Sequence, residues 1–298
     1  MRLNILGAGA IGSAVAGIAA QHGVAYRIYT RNPSPAVTVS LFTGEHIQLT
    51  TPFVKPSKLN NNDVLLLPLK AYQVAPALSQ WRPYLSAETP VILMHNGMGG
   101  AEIAREFLPE NPVFLATTRM GALKQSATNV KITGKGTTDI GFITPQPSPP
   151  QALQREVFSL LEQCLEDVVW HQDIYPSLWN KLSINAVINP LTALHDIPNG
   201  ELLNPRFDSQ IQRICEETAA VMQASQIPSD AHELKARVLD VAVATAANYS
   251  SMHQDVAHQR QTEIDAINGY IVTQATKKGI SVPENALLVK QITALSQR

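Results

Sequence analysis

The sequence predicts an α/β fold: a doubly wound, mostly parallel sheet followed by an all-α C-terminal domain. In the first part of the chain, short apolar runs alternate with helical patterns, which is the order expected for βαβ units. From Ile174 onwards no convincing strand pattern is present, and apolar residues recur at helical spacing. We therefore place the domain boundary near Gln172, which divides the chain into residues 1–172 and 173–298. The helical patterns of the second part cover residues 176–195, 205–225, 230–247, 253–278 and 284–296.

The composition is that of a globular protein. Hydrophobic residues make up 45% of the 298 residues and charged residues 16%, which excludes a disordered chain. The formal net charge of −1 gives no reason to expect nucleic acid or an anionic membrane as a partner. The N-terminus lacks the pattern of a signal peptide, and no apolar run reaches the roughly 18 residues of a membrane span. We expect a soluble, cytoplasmic protein whose two cysteines form no disulfide framework.

The first βα unit carries a glycine-rich turn. An apolar run at 3–6 ends in Gly-Ala-Gly-Ala-Ile-Gly, and a helical pattern over 13–22 and a second strand at 24–29 follow. In this context the pattern Gly-x-Gly-x-x-Gly predicts dinucleotide binding by a Rossmann-type domain. The first glycine permits the tight turn, the second lets the backbone approach a pyrophosphate, and the third allows close helix packing. The predicted cofactor contacts are Gly7, Ala8, Gly9, Ala10, Ile11 and Gly12.

The end of the second strand indicates which nicotinamide cofactor binds. A domain specific for NAD normally has an Asp or Glu there that bonds the ribose 2′-hydroxyl. Here the sequence is Tyr-Thr-Arg-Asn-Pro, without a carboxylate, and Arg31 can pair with a 2′-phosphate through its planar set of donors. The sequence therefore favours NADP(H). The alternative is that Arg31 is only a solvated loop residue.

Three further residues follow predicted strands of the first domain. Lys70 follows the apolar run at 63–69, Asn96 follows the run at 90–94, and Ala122 comes after the run at 113–118. Ligands of doubly wound sheets bind outside the carboxyl ends of the strands, so these positions are candidates for cofactor or substrate contact. Taken singly, each has a structural explanation: a solvated lysine, a turn asparagine and a small packing residue.

The remainder of the first domain is less regular. Residues 131–143 alternate loosely between polar and apolar, as expected for antiparallel strands added at the edge of the sheet. Residues 144–150 are rich in proline and predict a surface loop, and 151–165 predict a helix. A last strand is predicted at Val168–Trp170.

A polar stripe marks the first helix of the second domain. Lys181, Asn185 and Asn189 are four residues apart, and at about 100° per residue they fall on one narrow face. The rest of that helix is mostly apolar, which is typical of a buried helix. A lysine and two amides on a buried helix indicate a cleft wall that carries chemistry. The alternative is a core helix whose polar groups satisfy one another.

Other polar residues of this domain are ambiguous. Ser250 or Ser251 can cap a helix, and Glu263, predicted to lie midway along one, can be a solvated residue. His253 and His258 are five residues apart, and no zinc-binding spacing is present, so we expect no metal. No Gly-x-Ser-x-Gly motif is present, so covalent catalysis by serine has no support.

Together these residues resemble the ketopantoate reductase (2-dehydropantoate 2-reductase) family over essentially the whole chain. The glycine turn alone is shared with many dehydrogenases, whereas the asparagine-bearing helix together with the last two motifs, at 250–255 and 262–269, is far more specific. The matching segments are 7–12, 69–71, 95–99 (His-Asn-Gly-Met-Gly), 181–192, 198–201 (Pro-Asn-Gly-Glu), 250–255 and 262–269.

The resemblance implies a role for each matching residue. Lys181 matches the general acid, and Asn185, Asn189, Asn199 and Ser251 match substrate-binding positions. Asn96 matches a residue that touches both cofactor and substrate. Lys70, Ala122 and Glu263 match contacts on the cofactor side, and Glu263 is expected to influence Lys181. One departure is Arg119-Met120-Gly121, where some relatives have threonine and histidine, which puts the contacts near the nicotinamide in doubt.

The implied reaction is the NADPH-dependent reduction of ketopantoate to (R)-pantoate in pantothenate biosynthesis, with an apolar wall for the gem-dimethyl group from Ile184, Val187 or Ile188. One alternative is a reductase of another short 2-keto acid on the same scaffold. Another is an NADPH-binding sensor without catalysis, which a proton donor at Lys181 disfavours. The helical half is compatible with a homodimer as well as with a monomer.

Overall fold

A computed structural model describes residues 1–31, 36–49, 56–143 and 149–296. These residues form two compact units. The first contains Met1–His95 and Gly100–Ile174, and the second contains Asn96–Gly99 and Tyr175–Arg298. The short segment Asn96–Gly99 therefore belongs to the helical unit, although the strand before it belongs to the first unit.

The first unit contains the strands that the apolar runs predict and three further strands, at Val37–Ser40, His46–Leu49 and Gly121–Lys124. The strand Asp63–Leu67 is buried along its whole length, as expected for a strand with both faces covered. In the described residues the strands are β1 (Arg2–Leu6), β2 (Tyr26–Tyr29), β3 (Val37–Ser40), β4 (His46–Leu49), β5 (Asp63–Leu67), β6 (Val91–Met94), β7 (Val113–Thr118), β8 (Gly121–Lys124), β9 (Asn129–Gly134), β10 (Thr138–Phe142) and β11 (Val168–Trp170).

The main sheet has seven strands in the order β11-β10-β7-β6-β5-β1-β2. The five strands from β7 to β2 are parallel to their neighbours, β10 is antiparallel to β7, and β11 is parallel to β10. The predicted α/β fold with a mostly parallel sheet and a helical C-terminal region is confirmed. Because the parallel strands share one direction, the turns after β1, β5, β6 and β7 emerge at the same edge of this sheet.

A second sheet was not predicted. It contains four strands in the order β4-β3-β9-β8. The expectation that residues 131–143 add antiparallel strands to the edge of the main sheet is wrong in two respects: β9 belongs to the second sheet, and β10 lies inside the main sheet between β7 and β11. An alternating pattern shows that one face of a strand is buried, but it does not show which sheet the strand joins.

The second sheet packs on helix α1. Residues 12–19 of this helix are all buried, and a Cβ atom added to Gly17 would lie 2.8 Å from Cγ1 of Val39 on β3. The helices of the first unit are α1 (Ala10–Gln21), α2 (Ala71–Trp81), α3 (Gly100–Phe107) and α4 (Gln151–Glu162). Of the predicted proline-rich loop, residues 144–148 lie outside the described part of the chain.

The second unit is helical and centred on α5, which contacts α6, α7, α8 and α10. Its core includes Val187 and Ile188 of α5. The helix Ala231–Ala244 has a capped start, because the Asp230 side chain accepts from the N–H groups of His232 and Glu233. In the described residues its helices are α5 (Tyr175–His195), α6 (Asp208–Ala224), α7 (Ala231–Ala244), α8 (Ser251–Ala257), α9 (Asn268–Lys278) and α10 (Pro283–Ser296).

The single helix predicted over 253–278 is wrong. Helix α8 ends after Ala257, a one-turn 3₁₀ helix covers Ile264–Ala266, and α9 begins at Asn268. The backbone of Gln259 has a φ of +53°, in the left-handed region where helices commonly end. Across the described ranges, no helix is long and apolar enough to cross a membrane.

Candidate functional site

The glycine-rich turn joins β1 to α1, and its three glycines have different structural reasons. Gly7 has a φ of +103°, which favours glycine, and its N–H donates to the Tyr29 carbonyl oxygen at 2.8 Å. A Cβ atom added to Gly12 would lie 2.3 Å from the Gly7 carbonyl oxygen, so a side chain at residue 12 would force the helix away from the turn.

Gly9 differs from both because no described residue requires a glycine there. Its φ of −73° suits any residue, and a Cβ atom added to it would meet no atom of the described residues within 4 Å. Gly9 precedes the first residue of α1, and the backbone in front of a helix N-terminus is the usual place of a bound phosphate. Open space at this position fits the close approach of a pyrophosphate.

The residues predicted to accompany the turn are arranged around it within the first unit. Arg31 is exposed and lies two residues beyond the end of β2, whereas Asn32–Pro35 lie outside the described part of the chain. Lys70 is half-buried at the start of α2, next to Leu69, whose Cδ2 atom would lie 3.0 Å from a Cβ atom on Gly7. Ala122 is partly buried on β8 in the second sheet.

The predicted polar stripe lies on helix α5, as expected. Lys181 and Asn185 are half-buried, and Asn189 is buried with 5% of its surface exposed. The neighbouring hydroxyl groups bond to the helix itself: Ser183 donates to the Asn180 carbonyl oxygen at 2.9 Å and Thr192 to that of Ile188 at 2.7 Å.

The amides of this stripe are not used by the fold. In the described ranges, the side chains of Asn185 and Asn189 have no hydrogen-bonding partner, although each offers two donors and an acceptor. The polar atoms of these amides are not fully buried, so they are available for hydrogen bonds with another molecule. This observation argues against an inert core helix.

The start of helix α8 distinguishes the roles of the two candidate serines. The Ser250 hydroxyl accepts from the His253 N–H at 3.1 Å and lies 2.7 Å from the Thr192 hydroxyl, so Ser250 is the capping residue and ties α8 to α5. Ser251 is the exposed first residue of α8. Its hydroxyl is therefore available to a ligand, as the sequence prediction requires.

Asn199 begins a 3₁₀ helix and is 7% exposed. Its amide nitrogen donates to the Thr245 hydroxyl at 2.9 Å. Its buried Oδ1 atom has no partner among the described residues. The free acceptor suits a hydroxyl donor on a ligand.

Asn96 and Glu263 are brought together from positions 167 residues apart, with Nδ2 of Asn96 donating to Oε2 of Glu263 at 3.5 Å. Glu263 is 4% exposed. The expectation that Glu263 lies midway along a helix is wrong, because it immediately precedes the 3₁₀ helix Ile264–Ala266. The pattern of glutamate and isoleucine around residue 263 fits a short 3₁₀ turn as well as it fits a longer α-helix. Spacing alone therefore did not distinguish the two.

Asn268 has a clear structural role that was not predicted from the sequence. Pro190 lies inside α5 and has no N–H, so it leaves the Ala186 carbonyl oxygen without its helical donor. Asn268 supplies that donor from Nδ2 at 2.8 Å, and the same atom donates to Oδ1 of Asn285 at 3.0 Å. The signal in the sequence was the proline within a helical pattern, which predicts an unpaired carbonyl four residues earlier.

The departure at Arg119 also has a structural explanation. Its guanidinium forms an ion pair with the buried carboxylate of Asp139 at 3.2 Å, and His171 contacts the same carboxylate at 2.6 Å. Arg119 therefore contributes to a polar cluster of the main sheet.

The remaining reactive side chains do not form a second site in the parts of the chain that are described. No three side chains of His, Cys, Asp or Glu come together as possible metal ligands there. Burial raises the pKa of both thiols, Cys164 and Cys215, to about 12, so neither is a nucleophile at neutral pH.

Comparison with known proteins identifies the family. Residues 3–145 match the family described as Ketopantoate reductase PanE/ApbA, and residues 173–296 match Ketopantoate reductase PanE/ApbA C terminal. The chain belongs to the ketopantoate reductase family. The 2-dehydropantoate 2-reductase of Vibrio cholerae is 40% identical over 100% of this chain and 98% of its own length. That of Escherichia coli O157:H7 is 36% identical over 98% of this chain and 94% of its own length.

Solved structures agree with the fold of a ketopantoate reductase. A D-mandelate dehydrogenase with NADH and anilino(oxo)acetate has a TM-score of 0.88 at 23% identity, covering 100% of this chain and 99% of that one. A PanE/ApbA family ketopantoate reductase from Ralstonia eutropha JMP134 has a TM-score of 0.87 at 22% identity, with the same coverage. At this level of identity, both similarities concern the fold.

Proposed function

We propose that this ketopantoate reductase catalyses the NADPH-dependent reduction of 2-dehydropantoate (ketopantoate) to (R)-pantoate in pantothenate biosynthesis, with Lys181 as general acid. Similarity to 2-dehydropantoate 2-reductases over the full length supports the reaction. The observation that carries the residue assignment is the stripe on α5, where two amides without partners among the described residues accompany a lysine on a mostly apolar helix.

We assign cofactor binding to the first predicted domain and substrate binding to the second. Residues 1–172 bind NADPH through the turn at 7–12, with Arg31 at the 2′-phosphate and Lys70 and Ala122 as further contacts. Residues 173–298 bind the keto acid. The open space at Gly9 and the absence of a carboxylate at Thr30 and Arg31 support NADPH. We propose that the protein acts in the cytoplasm, that its partner is the small-molecule substrate ketopantoate, and that it binds neither nucleic acid nor a membrane.

NADPH, when bound, supplies a hydride to the 2-keto carbon. Negative charge then develops on the keto oxygen, and the ammonium group of Lys181 stabilises that charge and gives its proton from Nζ to the oxygen, which becomes the 2-hydroxyl. Help of this kind typically contributes about 10²–10⁴-fold to the rate. Glu263 and Asn96, which lie within hydrogen-bonding distance of each other, are proposed to orient the lysine and the reacting group.

The remaining residues bind the substrate according to their chemistry. Asn185, Asn189 and Asn199 each donate and accept, which suits a molecule with a keto group and a hydroxyl, and the Ser251 hydroxyl donates to the carboxylate. Of the apolar residues considered for the gem-dimethyl group, Val187 and Ile188 are buried in the helical core. Ile184 is partly exposed and is the one we assign to this contact.

A steady-state assay of NADPH oxidation tests the substrate assignment. We expect kcat/KM for ketopantoate to exceed the values for pyruvate and 2-ketoisovalerate by at least about tenfold each, because those acids lack the hydroxyl that the asparagines bind. Equal values for all three acids would assign the protein to short 2-keto acids in general. NADPH binding without turnover of any of them would instead favour a sensor.

A further inference from the structure

Strand β8 places a lysine at the glycine-rich turn. Lys124 is the last residue of β8, which is an edge strand of the second sheet. Its Nζ atom donates to the Ala8 carbonyl oxygen at 2.8 Å, across 116 residues of sequence. The Ala8 carbonyl and the Gly9 N–H belong to the same peptide group and point in opposite directions, so the bond fixes the ammonium group beside the residue at which the open space lies.

The charge of this lysine is not compensated by the fold. The side chain is exposed, and in the described ranges it forms no ion pair with a carboxylate. An ammonium group has three N–H donors, and the carbonyl of Ala8 occupies one. An exposed lysine normally stays in solvent because ordering its long side chain costs entropy. Here it is instead held at the turn where α1 begins.

The open space at Gly9 and the ammonium group of Lys124 favour the same class of ligand. The space at Gly9 admits a group that approaches the backbone closely, and Lys124 and the N-terminus of α1 make that space electropositive. The group that a dinucleotide presents to such a turn is its pyrophosphate. The 2′-phosphate is assigned to Arg31, which follows β2 rather than β1.

We propose that Lys124 is a cofactor-binding residue whose ammonium group pairs with the pyrophosphate of NADPH at Gly9. This inference rests on the proposed function, since it assumes that NADPH binds at the turn. The bond to Ala8 positions the lysine before the cofactor arrives, so less side-chain entropy is lost on binding.

Binding titrations with NADPH and NADH, read by calorimetry without substrate, test this role. Because both cofactors carry the pyrophosphate, we expect Lys124→Met to raise both Kd values on the order of tenfold, with a smaller salt dependence than the wild type. Lys124→Arg should restore most of the affinity. Arg31→Ala should weaken NADPH much more than NADH.

Lys131 provides the matched control. It lies on β9 opposite Leu123 and is equally exposed, so Lys131→Met removes one positive charge from the same sheet but leaves the turn intact. We expect both Kd values of that variant, and the Tm of all variants, to stay near the wild-type values.

The outcomes separate the two proposals. Wild-type protein that binds neither cofactor would overturn the proposed function. Wild-type binding that Lys124→Met leaves unchanged would overturn only the role of Lys124. If Lys124→Met lost affinity for NADPH but not for NADH, Lys124 would be assigned to the 2′-phosphate. If Lys131→Met lost as much affinity as Lys124→Met, the effect would be one of net charge. Either result contradicts the proposed contact.

Discussion

The backbone N–H of Met98 donates a hydrogen bond to the carbonyl oxygen of Ala266 at 2.8 Å. Beside it, Gly97 has a φ of +80°, and a Cβ atom added there would lie 2.4 Å from the same oxygen. The segment that carries Asn96 is thus attached by its backbone to the turn that follows Glu263. Gly97 is needed for that attachment on both conformational and steric grounds.

Gly97→Ala should therefore disrupt this attachment. We expect kcat/KM for ketopantoate to fall by at least about 10²-fold, because Asn96 and Glu263 lose their relative position. Gly99→Ala is the control, since Gly99 also has a positive φ, of +103°, but an added Cβ atom would meet nothing within 4 Å in the described part of the chain. That variant should show only the strain, about 1–2 kcal/mol in the free energy of unfolding. Similar activities for the two variants would contradict the steric explanation.

Substitutions at two glycines of the turn should affect NADPH binding and thermal stability separately. Gly9→Ala fills open space and should keep the wild-type Tm while weakening NADPH binding by about tenfold or more, because the methyl group occupies the position of the pyrophosphate. Gly12→Ala meets the Gly7 carbonyl oxygen and should lower the Tm. Calorimetric titration and thermal unfolding of both variants measure the two effects. Unchanged NADPH affinity in Gly9→Ala would show that no phosphate lies there.

Pro190 and Asn268 should be energetically coupled. Asn268→Leu removes the donor of the buried Ala186 carbonyl and should lower the free energy of unfolding by about 1–3 kcal/mol. In a Pro190→Ala background the new N–H can bond to that carbonyl, so the same substitution should cost less. A double-mutant cycle by urea unfolding gives the difference. Additive effects would mean that Asn268 does not replace the bond that proline removes.

Asp63 gives a prediction for acid stability. Burial raises its pKa, but hydrogen bonds from the Asn60 N–H and the side chains of Asn4 and Arg2 outweigh burial and hold the pKa below its usual value. A carboxylate with a lowered pKa in the folded state contributes stability above its unfolded pKa of about 3.9, and that stability is lost as the pH falls through the folded pKa.

Asp63→Asn should therefore be less stable than the wild type at neutral pH, and the difference should shrink between about pH 5 and pH 3. Urea unfolding of both proteins across that range measures it. A difference that stays constant with pH would show that the charge of Asp63 is not what stabilises the fold.

Much of the main sheet was predictable because its strands are buried on both faces and their sequences are continuously apolar. Strands β3 and β4 have only four residues each, too few for a clear period. They pair with each other, but the strand that joins β3 on its other side, β9, is distant in sequence. The stripe on α5 was predictable from helical spacing alone. The bond of Asn268 to Ala186 was not, because the two residues are 82 positions apart and the sequence gives no sign of a contact between them.

The central claim is that Lys181 donates the proton that completes reduction. The most direct measurement compares kcat for ketopantoate and the Kd for NADPH in the wild type, Lys181→Ala and the control Lys290→Ala, which removes an exposed lysine of α10. We predict that Lys181→Ala lowers kcat by about 10²–10⁴-fold, while the Kd for NADPH changes by less than about twofold. Lys290→Ala should match the wild type in both. An unchanged kcat in Lys181→Ala would contradict the assignment of Lys181 as the general acid.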